Sequence, residues 1–195
     1  MGFGLDERTV RPLTADEVMR MVELGILPED EPVELLHGAL TEVSAKTPGH
    51  EAVKMRLHRW LAPAVVDGRC DLRLESPLVV PDRTSLPEPD IAVIERDDAI
   101  AHPRTALLVI EVAVSSLKTD TRVKPALYAA AGVGELWVVD VPAQRLEVFA
   151  VPGPGGYADH TVMTPPSLLT PRFVPVGPLD LATLLAGLPA GDPPP

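Results

Sequence analysis

Two acids sit where the neighbouring residues make charge costly. Asp90 opens the apolar run "DIAVI" after "PEP", and Glu111 lies inside "LLVIEVAV", between Ile110 and Val112. A buried carboxylate is expensive unless a cation or hydrogen-bond donors meet it. Acids on two successive strands can meet at one sheet edge if those strands are neighbours. Hard divalent cations take oxygen ligands, and Mg²⁺ commonly uses one or two carboxylates plus water and phosphate. Such an ion would polarise a phosphate and lower the pKa of bound water. The chemistry suggested is metal-assisted phosphoester hydrolysis. Blander readings compete: Asp90 as a solvated strand-end acid, and Glu111 facing an open side of the sheet or paired with an arginine.

The elements that must position these acids follow from punctuation and periodicity. "TADEVMRMVELG" predicts a helix with Thr14 as N-cap, Glu17 as its capping-box partner and Gly25 as stop. "PVELLHGALTEVS" predicts a hairpin about His37-Gly38. "PGHEAVKMRLHRWLAPAVVDG" has apolar residues at 53, 57, 60, 61, 64 and 65, a helical spacing in which Pro63 predicts an end or a kink. "CDLRLESPLVV" alternates as a strand does. The runs near 90–95 and 107–114 are short and β-branched, as expected of strands covered on both faces of a central sheet. "TDTRVKPALYAAAG" predicts a helix that starts near Val123, so that Pro125 falls in its first turn, and closes at Gly132. "ELWVVDV" and "RLEVFAV" read as strands joined by "PAQ", "YADHTVMT" as an exposed strand, and "LDLATLLAG" as a short terminal helix. The expected fold is of the α/β (mixed α+β) class, a mixed central sheet flanked by helices, with an N-terminal helix and hairpin. A single domain is expected over 13–187, with a lead-in at 1–12 and a disordered Pro-rich tail at 188–195. Trp60 and Trp137 lie in apolar periodic segments and read as core residues.

Composition narrows the partners. A net charge of −11 argues against a protein that coats nucleic acid. Residues 1–42 carry ten acids against three Arg and no Lys, whereas 46–73 carry six bases against three acids. A locally basic face is therefore available, and Lys54, Arg56 and Arg59 on the second helix are candidates for backbone contact. The plainer reading of the same residues is a solvated amphipathic face. One cysteine, Cys70, rules out a disulfide within the chain. No apolar stretch approaches the ~20 residues of a membrane span, and the N-terminus lacks a signal-peptide pattern. The expected location is cytoplasmic.

"PEPDIAVI", "LLVIEVAVSS", "DTRVKPALYAAAGVGELWVVD" and the upstream "VELLHGALTEVS" with a following His together resemble the Uma-two family. That family is assigned to endonucleases of the PD-(D/E)XK superfamily, and the resemblance spans roughly residues 13–187. It implies a restriction-endonuclease-like fold, a homodimer, DNA as substrate and Mg²⁺ or Mn²⁺ as cofactor. It also implies that Asp90 and Glu111 are the motif's two acids, with a backbone carbonyl near Val112 completing the metal shell. The superfamily's lysine, two residues after the second acid, is Ala113 here. The resemblance moves that role to Lys124 in D-x-x-x-K-x-x-x-Y, with Asp120 and Tyr128 on the same helical face. Glu34 would add a carboxylate from the hairpin, and His50 would touch phosphate or transfer a proton. Ser115 and Ser116 would contact substrate or cap the next element. A catalytically silent, partner-binding module of the same fold is the competing expectation, favoured by the acidic charge and the displaced lysine. A relative acting on RNA or small phosphoesters is a third.

Overall fold

The computed structural model describes residues 10–43 and 46–189. The elements in chain order are α1 (Ala15–Glu23), β1 (Val33–Leu36), β2 (Ala39–Glu42), α2 (Pro48–Val66), β3 (Cys70–Leu74), β4 (Ile91–Glu95), β5 (Leu108–Ala113), α3 (Leu117–Arg122), α4 (Lys124–Ala130), β6 (Glu135–Asp140), β7 (Arg145–Gly153), β8 (Gly156–Met163), β9 (Leu168–Leu169), β10 (Leu179–Asp180) and α5 (Leu181–Leu185). Six strands form one sheet in the order β3-β4-β5-β6-β7-β8. Only β5 and β6 run parallel; every other neighbouring pair is antiparallel. The expected mixed sheet with flanking helices is present.

Period-two alternation decides what each face of this sheet carries. On one face Ile91, Val93, Leu108 and Ile110 pack with Val53, Leu57 and Leu61 of α2 and with α5. On the other, Ala92, Val109, Leu136 and Val138 pack with Leu127 and Tyr128 of α4. Each fully buried Leu, Ile or Val contributes about 1.5–3 kcal/mol, so this double cover can hold β5 rigid while it carries an acid. All six residues of β5 are buried. Glu111 falls in step with Val109 and Ala113, and therefore projects to the α4 face. Trp137 is fully buried and stacks on Trp60 at 5.7 Å, as core residues should.

The N-terminal helix matches the sequence signals. Thr14 and Glu17 form the capping box, and Gly25, at φ +67°, follows the C-cap Leu24. The hairpin turns through His37 and Gly38, both at positive φ, the backbone a tight two-residue turn requires. It is pinned to the segment before β4: His37 N–H donates to Ser85 Oγ, Gly38 N–H to the Thr84 carbonyl and Leu86 N–H to the Leu35 carbonyl.

Three local expectations need correction. Pro63 neither ends nor interrupts α2, which continues to Val66; in the last turn it removes one amide, and the Asp67 cap amide bonds back to the Pro63 carbonyl. The strand expected across "CDLRLESPLVV" stops at Leu74, where Glu75 takes φ +47° and turns the chain away. The helix expected from Val123 is preceded by a separate one, α3, and Val123 is the junction between them. Most of the expected Pro-rich tail, like residues 1–9 of the lead-in, lies outside the described residues.

Candidate active site

Adjacent antiparallel strands bring the two acids together. The register Ile91↔Ile110, carried one step further, sets Asp90 opposite Glu111. Directly opposed residues project to the same face. Each acid then engages the other's strand: Asp90 Oδ2 accepts from the Val112 amide at 2.7 Å, and Glu111 Oε2 accepts from the Asp90 amide at 3.4 Å. The pair stands at the end of the sheet, in a cleft also lined by Glu34, His50, Glu88, Ser115, Ser116 and Lys124.

The cation that meets Glu111 is Lys124. Its buried ammonium lies 3.1 Å from Glu111 Oε1, 3.3 Å from Glu34 Oε2 and 3.2 Å from Asp120 Oδ1. Tyr128 completes the set, its hydroxyl donating to Glu111 Oε1 at 2.6 Å. The helix breaks at Val123, yet Lys124 and Tyr128 both reach Glu111 Oε1, and Asp120 reaches Lys124 across the joint. Three carboxylates share one ammonium, an excess of two negative charges before Asp90 is counted.

That excess sets the protonation. Burial, then the Asp120 and Asp90 charges, push Glu111 up to about 8 against the pull of Lys124 and Tyr128. Burial alone would lower Lys124, but Glu111, Asp120 and Glu34 override it and hold the ammonium charged. The Tyr128 hydroxyl is pushed well up by burial and by Glu111, so it donates rather than ionises.

His50 enters from the first turn of α2, where Thr47 caps the helix. Its Nε2 lies 3.0 Å from Asp90 Oδ1 and its Nδ1 lies 3.1 Å from Glu51. Burial works against the imidazolium, but the bond to Asp90 prevails and raises its pKa. The structure places Glu34, His50, Asp90, Glu111, Val112 and Lys124 around one cleft. Ser116 donates to Asp120 Oδ2 at 2.5 Å. The basic face of α2 is largely committed within the chain: Lys54 is held by Glu51 and Glu75, and Arg56 donates to the Leu184 carbonyl. Glu88, Lys46 and Glu75, which also line the cleft, carried no distinguishing sequence signal. Glu88 lies in the "PEP" stretch that leads into β4, and Glu75 depends on a left-handed backbone that no pattern announces.

Among the described residues no three His, Cys, Asp or Glu side chains are disposed to enclose an ion by themselves. The donors nevertheless suit a hard cation. Oxygens from Asp90 and Glu111 face one cleft, the local charge excess is negative, and Mg²⁺ sites usually take only one or two carboxylates.

A mixed sheet flanked by helices, with an acidic cleft at the β4–β5 end, is a restriction-endonuclease-like architecture. The chain belongs to the Uma2 family, described as "Putative restriction endonuclease", whose model matches residues 16–182. In fold it is similar to the crystal structure of a "putative nuclease belonging to DUF820" from Anabaena variabilis ATCC 29413, with a TM-score of 0.74 and 21% identity over 90% of this chain and 98% of that one. No curated protein matches it. Among the described residues no helix is long and apolar enough to cross a membrane.

Proposed function

We propose that this chain is a divalent-metal-dependent endonuclease that hydrolyses DNA phosphodiester bonds in the cleft between the hairpin, β4, β5 and α4. One observation carries the reading. Lys124, displaced from the superfamily's usual position, still reaches Glu111 at 3.1 Å. Asp90 and Glu111 would hold Mg²⁺ or Mn²⁺, with the Val112 carbonyl and Glu34 completing the protein donors. Bound there, the ion supplies positive charge that polarises a phosphate and acidifies water.

The chain's own residues prepare the site. His50 holds the Asp90 carboxylate from one side and the Val112 amide holds it from the other, fixing its direction. Tyr128 and Lys124 fix Glu111. Lys124 supplies charge opposite a phosphate in transition. Lys124 donates a hydrogen bond to Glu111 and forms ion pairs with Glu34 and Asp120, so its charge is shared among three acids before any phosphate arrives. The family resemblance also points to a homodimer.

The acidic net charge and the displaced lysine favour a second reading, a nuclease-fold module that binds a partner without cutting. The two separate in one experiment. Wild type, Asp90→Ala and Glu111→Ala are incubated with DNA and Mn²⁺, and Mn²⁺ binding is followed by calorimetry. Cleavage lost in both variants supports the nuclease. Equal activity in all three removes the site, and no heat at millimolar metal supports the silent module. Metal binding without DNA cleavage moves the search to RNA or small phosphoesters.

A further inference from the structure

Among the described residues the sheet has a free edge at β3, which pairs with β4 alone. The backbone on that edge is defined by its neighbours. Arg96 N–H donates to the Arg69 carbonyl and Glu75 N–H donates to the Asp90 carbonyl. By alternation, the amides and carbonyls of Asp71 and Arg73 also face β4, whereas those of Cys70, Leu72 and Leu74 face outward. Open edges invite pairing with another chain, and proteins commonly guard them with charge. The guards here are of opposite sign and two residues apart.

We propose that β3 is a self-pairing edge: two copies of this chain join antiparallel about Leu72, with Asp71 of each opposite Arg73 of the other. In this register Leu72 opposes itself and Cys70 opposes Leu74. All three have outward-facing backbone groups, so the hydrogen-bonded pairs fall where donors and acceptors are free. Asp71 and Arg73 fall in the non-hydrogen-bonded pairs, where side chains approach most closely. A slide by two residues in either direction sets Asp71 against Asp71 or Arg73 against Arg73. Charge therefore selects one register and opposes its neighbours.

The surface beside the edge agrees. A groove between α2 and β3 is lined by Val65, Val66, Leu72 and Leu74 with Asp71 and Arg73 beside them, and in it Val66 is 84% and Leu74 44% exposed. Because α2 packs against β3, pairing the two edges brings the two α2 helices side by side over the joint. Their exposed stripes then cover one another. Stable interfaces bury about 1,200–2,000 Å² in total; a five-residue strand pairing falls short of that alone, and the helix stripe extends it.

Sedimentation or light scattering on the full chain tests this, and reads mass rather than cleavage, so it stands apart from the nuclease reading. The wild type is expected to be a dimer. Asp71→Arg alone and Arg73→Asp alone place like charges across the joint and should each be monomeric, with circular dichroism showing the fold retained. An equimolar mixture of the two variants restores both opposite-charge pairs and should recover the dimer mass, as should the double exchange D71R/R73D. A monomeric wild type, dimers in both single variants, or folded variants that do not pair on mixing would each overturn the proposal.

Discussion

Asp90 and Glu111 hold each other's main chain: the Asp90 carboxylate accepts from the amide following Glu111, and the Glu111 carboxylate accepts from the amide of Asp90 itself. The acids expected to grip an ion are therefore also the clasp that fixes the β4–β5 end. Asp90→Ala leaves the Val112 amide without its acceptor, and an orphaned buried donor costs about 1–3 kcal/mol. Asp90→Asn keeps an oxygen acceptor but loses the charge. Chemical denaturation should show Ala clearly less stable than Asn, while both lose Mn²⁺ heat and DNA cleavage. Equal stability of the two variants would show that the clasp is unimportant to the fold.

Lys124 offers a sharper test of charge. Removing one partner from a buried ionic cluster typically costs about 3–5 kcal/mol, and Lys124→Met leaves Glu34, Glu111 and Asp120 facing one another. The loss should shrink as pH falls, because Glu111, whose pKa is already raised by burial, takes up a proton and removes its share of the repulsion. Thermal melts of wild type and Lys124→Met at pH 5 and pH 8 should therefore converge at the acid end. A pH-independent gap would mean that lost packing, rather than charge, accounts for the cost.

Glu111 gives the metal-free protein its own pH signature. Its folded pKa is raised to about 8, above that of a carboxyl in the unfolded chain. The stability it contributes is fully present below the unfolded pKa and is lost as pH rises through the folded value. Urea midpoints should thus decline between roughly pH 5 and pH 8, and Glu111→Gln should flatten that decline. Tyr128→Phe removes a donor that favours the charged form, so the window should move to higher pH. A metal ion must displace the same proton. Calorimetry in buffers of different ionisation enthalpy should record proton release on Mn²⁺ binding below pH 8 and little above it.

Much of the site was legible because it rests on short-range rules. The alternation around Glu111 and the opposition of two short strands need only a period of two, and Asp120, Lys124 and Tyr128 need only i,i+4 spacing. What escaped depends on non-local geometry. Nothing near Lys124 in the sequence reveals that its ammonium is shared among three acids, two of them from distant strands. The α3–α4 break at Val123 was missed because a proline-bearing stretch reads as one late-starting helix. Pro63 misled in the opposite direction, since a proline rule says nothing about the packing of Leu61 and Ala64 that holds α2 together around it.

The hairpin supplies a prediction that touches no acid. Gly38 has φ +81° and sits against Pro12, so that an added Cβ would come 2.7 Å from Pro12 Cα. Its own amide and carbonyl bond to Thr84 and Leu13, which leaves the turn no room to retreat. Gly38→Ala should cost about 1–3 kcal/mol through overpacking, with further backbone strain at the positive φ. The turn carries β1, and β1 delivers Glu34 to Lys124. Displacing it should weaken Mn²⁺ binding less than Asp90→Ala does, because Asp90, Glu111 and their mutual bonds lie on the central sheet. A Gly38→Ala protein with wild-type melting and wild-type metal affinity would mean that the hairpin moves independently of the site, and that Glu34 is dispensable to it.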